Sequence, residues 1–229
     1  MTTLASAVLR RVTDTLMDSA SITWPIGQLV RYLNDAQRTI VLARPDATIT
    51  TSTVALIAGS KQSLDTMSLT PLPFKLMNVR RNTVGNQGAI TLIDRYMLDS
   101  YLPNWYAGTG NINIQHYMFD AQAPRNFVCY PPALSTARVE IEYSAYPTDI
   151  AEPAAGGTFA NVVGNLSVAD IFDGVVIDLV LYRAYQSEAE FAGNGARADM
   201  HKNAAIQQLT GEAAGTGQSQ PKKKPDSGA

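Results

Sequence analysis

Apolar positions recur every three or four residues at both ends of the chain and every second residue in its middle. Leu4, Val8, Leu9, Val12 and Leu16 fall on one face at helical spacing, with Arg10, Arg11, Asp14 and Asp18 elsewhere. This predicts an amphipathic helix over residues 3–18. A second helix is expected from about Pro25 to Ala43, since proline suits a helix's first position. Ile26, Leu29, Val30, Leu33, Ile40 and Val41 form its stripe, and Arg44-Pro45 stops it. The short connection predicts that the two helices pack as an antiparallel hairpin.

From residue 48 the pattern turns to strands. Residues 48–57 are rich in β-branched side chains, and a turn is expected at Gly59–Gln62. Further strands are predicted over 74–81, 89–94, 112–119, 126–130 and 138–146. The last alternates strictly, with Val139, Ile141, Tyr143 and Ala145 against Arg138, Glu140, Glu142 and Ser144. Turns are read at Gly85–Gly88, Ala107–Gly110 and Tyr130–Pro132, and a short helical turn within Tyr96–Trp105.

Helix returns near Ser167, where Ser167 and Asp170 read as a capping box. Val168, Ile171, Phe172, Val175, Val176, Leu179, Val180 and Tyr182 are too many for one narrow stripe, so this helix is central and contacted from several sides. A last helix is expected over 196–209, ending at Gly211. Residues 211–229 carry no large apolar side chain and read as a flexible C-terminal arm. The expected fold is α+β. Residues 1–47 and 165–210 form a discontinuous helical bundle, 48–150 an inserted antiparallel β module, and 151–164 a linker.

Composition sharpens this picture in two ways. Only 17% of the 229 residues are charged, which suits a surface packed against neighbours. The formal net charge of −2 gives no general basic bias, so sequence-independent grip on nucleic acid is not indicated. No basic region followed by an apolar run opens the chain, and no stretch of about eighteen apolar residues exists, so neither a signal peptide nor a membrane span is expected.

Candidate chemistry is sparse. Cys129 is the one cysteine; it lies in an apolar stretch and is expected to be buried and inert. His116 and His201 have no partner at metal-ligand spacing. Asp94 and Asp99 could do acid–base work on glycosides, as in a small hydrolase, but helix-end satisfaction is the commoner use of such carboxylates. Gly108 and Gly110 lack the helix and lysine of a phosphate-binding loop. No catalytic, cofactor or metal site is predicted. Trp105, Tyr117, Phe119, Tyr182 and Tyr185 are read as core or subunit-interface aromatics.

Four segments, in order, resemble the tailed-phage head-to-tail adaptor (head-completion) family. They are Trp24-Pro25 with Tyr32-Leu33-Asn34-Asp35-Ala36-Gln37; Ile93 through Asp99 to Pro103-Asn104-Trp105; Tyr117 to Asp120 leading to Phe127–Pro132; and Leu181–Tyr185 followed by Ala192-Gly193-Asn194. The resemblance implies a structural protein of the virion neck, assembled in the host bacterial cytoplasm. It implies a ring of about twelve copies, closed by rotation, that docks beneath the portal and extends the DNA channel. Its partners would be the portal, further copies of itself, downstream tail or nozzle proteins, and genomic DNA passing without sequence-specific contact. In such adaptors a C-terminal extension reaches the portal, which would engage Gln220, Pro221, Lys222, Lys223, Lys224 and Pro225. Asp14, Asp18, Asp170, Asp173 and Asp178 are candidates to line the channel. The rival reading is another neck ring protein, a stopper or a tail-tube terminator; terminators are mostly β, whereas adaptors are chiefly helical with an inserted sheet.

Overall fold

A computed structural model describes residues 3–154, 156–188 and 190–219. In chain order the elements are α1 (Ala5–Leu16), α2 (Ile26–Ala43), β1 (Ile49–Ala55), β2 (Gly59–Ser63), β3 (Pro73–Asn82), β4 (Thr91–Leu92), α3 (Arg95–Tyr101), β5 (His116–Phe119), β6 (Asn126–Ala133), β7 (Arg138–Ala145), α4 (Asp173–Ser187) and α5 (Asn194–Ser219). The α+β class predicted from the pattern holds. The chain divides into two compact units: residues up to Arg44 together with those from Thr148 onward, and Pro45–Pro147.

The helical unit is organised around α4. Val175, Val176, Leu179, Val180, Leu181, Ala184 and Tyr185 are all buried, spread around most of its circumference. α1, α2 and α5 each pack against it. The expected α1–α2 hairpin is therefore corrected: the principal partner of both is α4, whose apolar circumference has to be covered from several sides. The expected capping box is also corrected. α4 starts at Asp173 after a 3-10 turn at Asp170–Phe172, and no side chain caps it. The Ser167 hydroxyl instead accepts the Thr148 N–H at 2.9 Å. α5 runs through Gly211 to Ser219 rather than stopping; the stretch holds three glycines, which weaken a helix, but no proline, which would break it.

The link between α1 and α2 is shaped by one carboxylate. α1 ends at Met17 in the left-handed conformation, and Asp18 then accepts the N–H groups of Ile22, Thr23 and Trp24 at 2.9–3.0 Å. Burial works against its charge, but the three donors outweigh it and hold its pKa below the usual value.

In the second unit, β1-β7-β3 form an antiparallel three-stranded sheet and β2-β6-β5-β4 a four-stranded one. One buried cluster draws on both, with Val54, Val79, Val139, Ile141 and Tyr143 from the first and Tyr117, Phe127 and Cys129 from the second. The single antiparallel module expected from sequence is thus two sheets, and β4 pairs with β5 in parallel. Gly59–Ser63 is a strand rather than a turn, because Gln62 turns inward and its amide bonds Ile57 and Gly59. Tyr130–Pro132 lies inside β6, with a cis Tyr130–Pro131 bond, rather than forming a turn. Buried Asn82 ties β3 to Gly88 and Ile114 through both ends of its amide.

Two outcomes follow. Leu33 is fully buried, so Leu33→Ala should lower the stability of the helical unit by about 2–5 kcal/mol in denaturant unfolding. Asp18's lowered folded pKa means its contribution is complete above the unfolded value near pH 4 and is lost as pH falls through the folded one. Thermal melts of Asp18→Ala should lie below wild type at neutral pH and converge with it in strong acid.

Candidate interaction surface

The motif helix turns the amides of Asn34 and Gln37 inward and keeps Arg31 and Arg38 at the surface. Asn34 donates to the Ile150 carbonyl at 3.0 Å and accepts the Ile150 N–H at 2.9 Å. Gln37, with no exposed surface, accepts the Ser167 N–H at 2.6 Å. Asp35 pairs with Arg38 and Arg183, Arg38 with Asp149, and Arg31 with Glu152. Tyr32 accepts a bond from Gln28. Trp24, at the start of this segment beside Pro25, is buried; its indole N–H donates to the Ala184 carbonyl at 3.1 Å and its ring meets Tyr185 edge-on. Trp24, Leu33, Asn34 and Gln37 therefore hold the returning half of the chain onto the first half.

The aromatics named from sequence divide. Trp105, Tyr117 and Tyr185 are buried, whereas Phe119 and Tyr182 are half-buried, with Lys202 over the Tyr182 ring. Burial raises the Tyr117 pKa. Cys129 is sealed in β6 and its thiol is pushed up to about 11 by burial.

The exposed apolar surface lies instead on and around α3, which sequence patterning did not single out. Only Leu98 of this helix is buried. Tyr96 and Tyr101 are 79% and 80% exposed, and Met97, Leu102 and Leu92 are also open. Beside them is a shallow apolar groove of about 290 Å³, between Met97, Tyr101 and Leu102 on one side and His116 and Tyr130 on the other. The platform beneath is held by side-chain bonds and ring contacts. Asp94 caps α3 by accepting the Tyr96 N–H, and Asp99 accepts the Trp105 indole N–H at 2.7 Å while pairing with Arg95. Trp105 stacks on Tyr106, over which Arg95 lies. Leu98, Trp105 and Met118 form a small core under the patch. The hydrogen-bond partners of Asp94 and Asp99 are thus structural ones. A broader open cleft of about 920 Å³, bordered by Lys61, Asp94, Arg95, Asp120 and Asn126, mixes both charge signs.

Both histidines have partners. His116 shares a 2.6 Å hydrogen bond with Thr91 and stacks on Tyr130; His201 bonds Asp178 at 2.9 Å and stacks on Tyr185. Among the described residues, no group of His, Cys, Asp and Glu is arranged to hold a metal ion, and no helix is long and apolar enough to cross a membrane. Asp178, which also accepts from Gln208, is committed to the α4–α5 seam, so its assignment as a channel-lining residue is corrected. Asp18 is held by its three donors, and Asp173 accepts from the Thr3 hydroxyl; Asp14 and Asp170 remain exposed. Gln220, Pro221, Lys222, Lys223, Lys224 and Pro225 lie outside the described residues.

The Asp99–Trp105 bond generates a test. Asp99→Ala leaves a buried indole N–H unpaired, which should cost about 1–3 kcal/mol and shift tryptophan emission; Asp99→Asn, which keeps an acceptor, should restore most of it.

No curated protein matches this chain. The family model described as SU10 adaptor protein matches residues 2–224, in agreement with the resemblance of its motif segments to head-to-tail adaptors. The chain belongs to the SU10 adaptor protein family.

Proposed function

We propose that this chain is a structural protein of the phage neck: copies form a ring that docks under the portal, extends the DNA channel and offers the tail its attachment site. The observation that carries the adaptor role is the family match over residues 2–224. The helical unit, built from both flanks of an inserted β unit, favours an adaptor over a mostly β terminator. Contiguous apolar surface of the kind around α3 marks protein contact, and we assign it to a neighbouring ring subunit or a tail-side protein. No step of bond-making chemistry is required of the protein. DNA would pass through the lumen without base contacts, with Asp14 and Asp170 the remaining candidates to line it.

The residues from Gln220 to Pro225 supply the portal contact in this reading. Lys222, Lys223 and Lys224 would meet acidic portal surface, each arm weakly, and the ring multiplies the arms. Deleting residues 220–229 should weaken co-sedimentation with purified portal rings and make the remainder less sensitive to salt. Undiminished co-sedimentation of the truncated protein would remove the arm from the docking mechanism.

A further inference from the structure

Each sheet edge in the β unit is guarded except one. β2 carries Lys61 and a register break beside Gly59. β3 carries Lys75, Arg80 and Arg81 and three register breaks, and part of its outer edge is already taken, since the Ile90 N–H bonds Arg80 and the Asn82 N–H bonds Gly88. β4 is two residues long. Charges, bulges and shortness are the usual devices that stop a strand edge from recruiting another chain. β1 has none of them: Ile49, Thr50, Thr51, Ser52, Thr53, Val54 and Ala55 are uncharged, contain no proline and pair with β7 without a break.

The direction of its free groups follows from the register. The Leu56 N–H bonds the Ala137 carbonyl. In an antiparallel pair the bonded positions alternate, so residues 50, 52 and 54 also spend their backbone groups on β7. Ile49, Thr51, Thr53 and Ala55 then point N–H and C=O away from it, and all four are exposed. At the far end the edge is closed, because the Gln62 amide occupies both backbone groups of Ile57. The open edge is thus bounded and its four outward positions are evenly spaced about Ser52.

We infer that this edge pairs with β1 of a second copy, antiparallel, about a two-fold axis through Ser52. That register opposes Ile49 to Ala55 and Thr51 to Thr53 of the other copy, so every outward N–H and C=O finds a partner. Registers displaced from it form fewer bonds between the copies and leave the remaining groups to water, so each gives up part of the net gain of pairing. It brings no like charges together and places threonine opposite threonine, a favourable cross-strand pair. The C-terminal residues 220–229 do not fit as the occupant: Pro221 and Pro225 cannot donate, and three lysines lie between them. A strand edge buries less than the roughly 1,200–2,000 Å² of a standard stable interface, so the pair is reversible. A two-fold contact uses the same patch on both partners and cannot propagate around a ring. It therefore belongs to free subunits and competes with ring closure.

Ser52→Cys in the full-length protein tests this. Opposed residues 52 form a non-bonded pair with Cα atoms about 4.5 Å apart, within disulfide reach. Under mild oxidation the variant should form a covalent dimer roughly tenfold or more faster than Ser135→Cys, an exposed control position, because the paired state raises the local thiol concentration. Cys129, buried with its thiol pushed up to about 11, does not compete. Adding Thr53→Pro, which removes an outward N–H and no bond to β7, should abolish the difference while the melting curve holds. Sedimentation velocity of wild type should show a concentration-dependent dimer. Equal cross-linking of Ser52→Cys and the control, or a cross-link that survives Thr53→Pro in folded protein, overturns the inference. Neither result bears on portal docking, which the truncation experiment reads separately.

Discussion

A helix with apolar side chains around most of its circumference has to be enclosed from several sides, and α4 imposes that requirement on the helical unit. Its buried positions leave no broad face for water. α1 and α2 arrive from one end of the chain and α5 from the other, and each covers part of it. The polar residues of α2 then fix the arrangement. Asn34 and Gln37 present amides to the backbone of Ile150 and Ser167, so the segment returning from the β unit is held by bonds that only one placement satisfies. Hydrophobic enclosure supplies the drive and the buried amides supply the specificity.

The β unit solves its own problem differently. Two small sheets share one core, and Asn82 and Gln62 satisfy backbone groups that the short strands leave over. The result is a stable base that can afford apolar side chains on its outside. Tyr96 and Tyr101 stay open on α3 because Asp94, Asp99 and Trp105 fix that short helix without help from them.

What could be read from sequence was whatever a local period encodes. The stripes of α1 and α2, the crowded circumference of α4 and the alternation of β7 reported most of their buried positions; Leu4 and Ile171, just outside the helices, are exposed, and Ser144, expected on the solvated face, is buried beside the Thr48 hydroxyl. Partner choice was not encoded locally: connection length suggested an α1–α2 hairpin, whereas both helices pack chiefly on α4. β2 was hidden because glycine and glutamine resemble a turn until Gln62 is seen to serve Ile57. The motif around Tyr32–Gln37 identified the family, but its physical purpose was invisible, since the partners of Asn34 and Gln37 lie 116 and 130 positions away in sequence. The α3 patch was equally hidden, because a seven-residue helix gives too few turns to tell an inward apolar side chain from an outward one.

The split helical unit also sets a timetable for synthesis. α4 begins 130 residues after α2 ends, and translation proceeds at about 5–20 residues per second. The first two helices leave the ribosome on the order of ten seconds before the surface they are shaped to cover. The β unit, continuous in sequence between them, has that interval to fold alone. Nascent α1 and α2 meanwhile carry bare apolar stripes, which makes this window the point at which a chaperone, or an unwanted neighbour, has its best opportunity to bind.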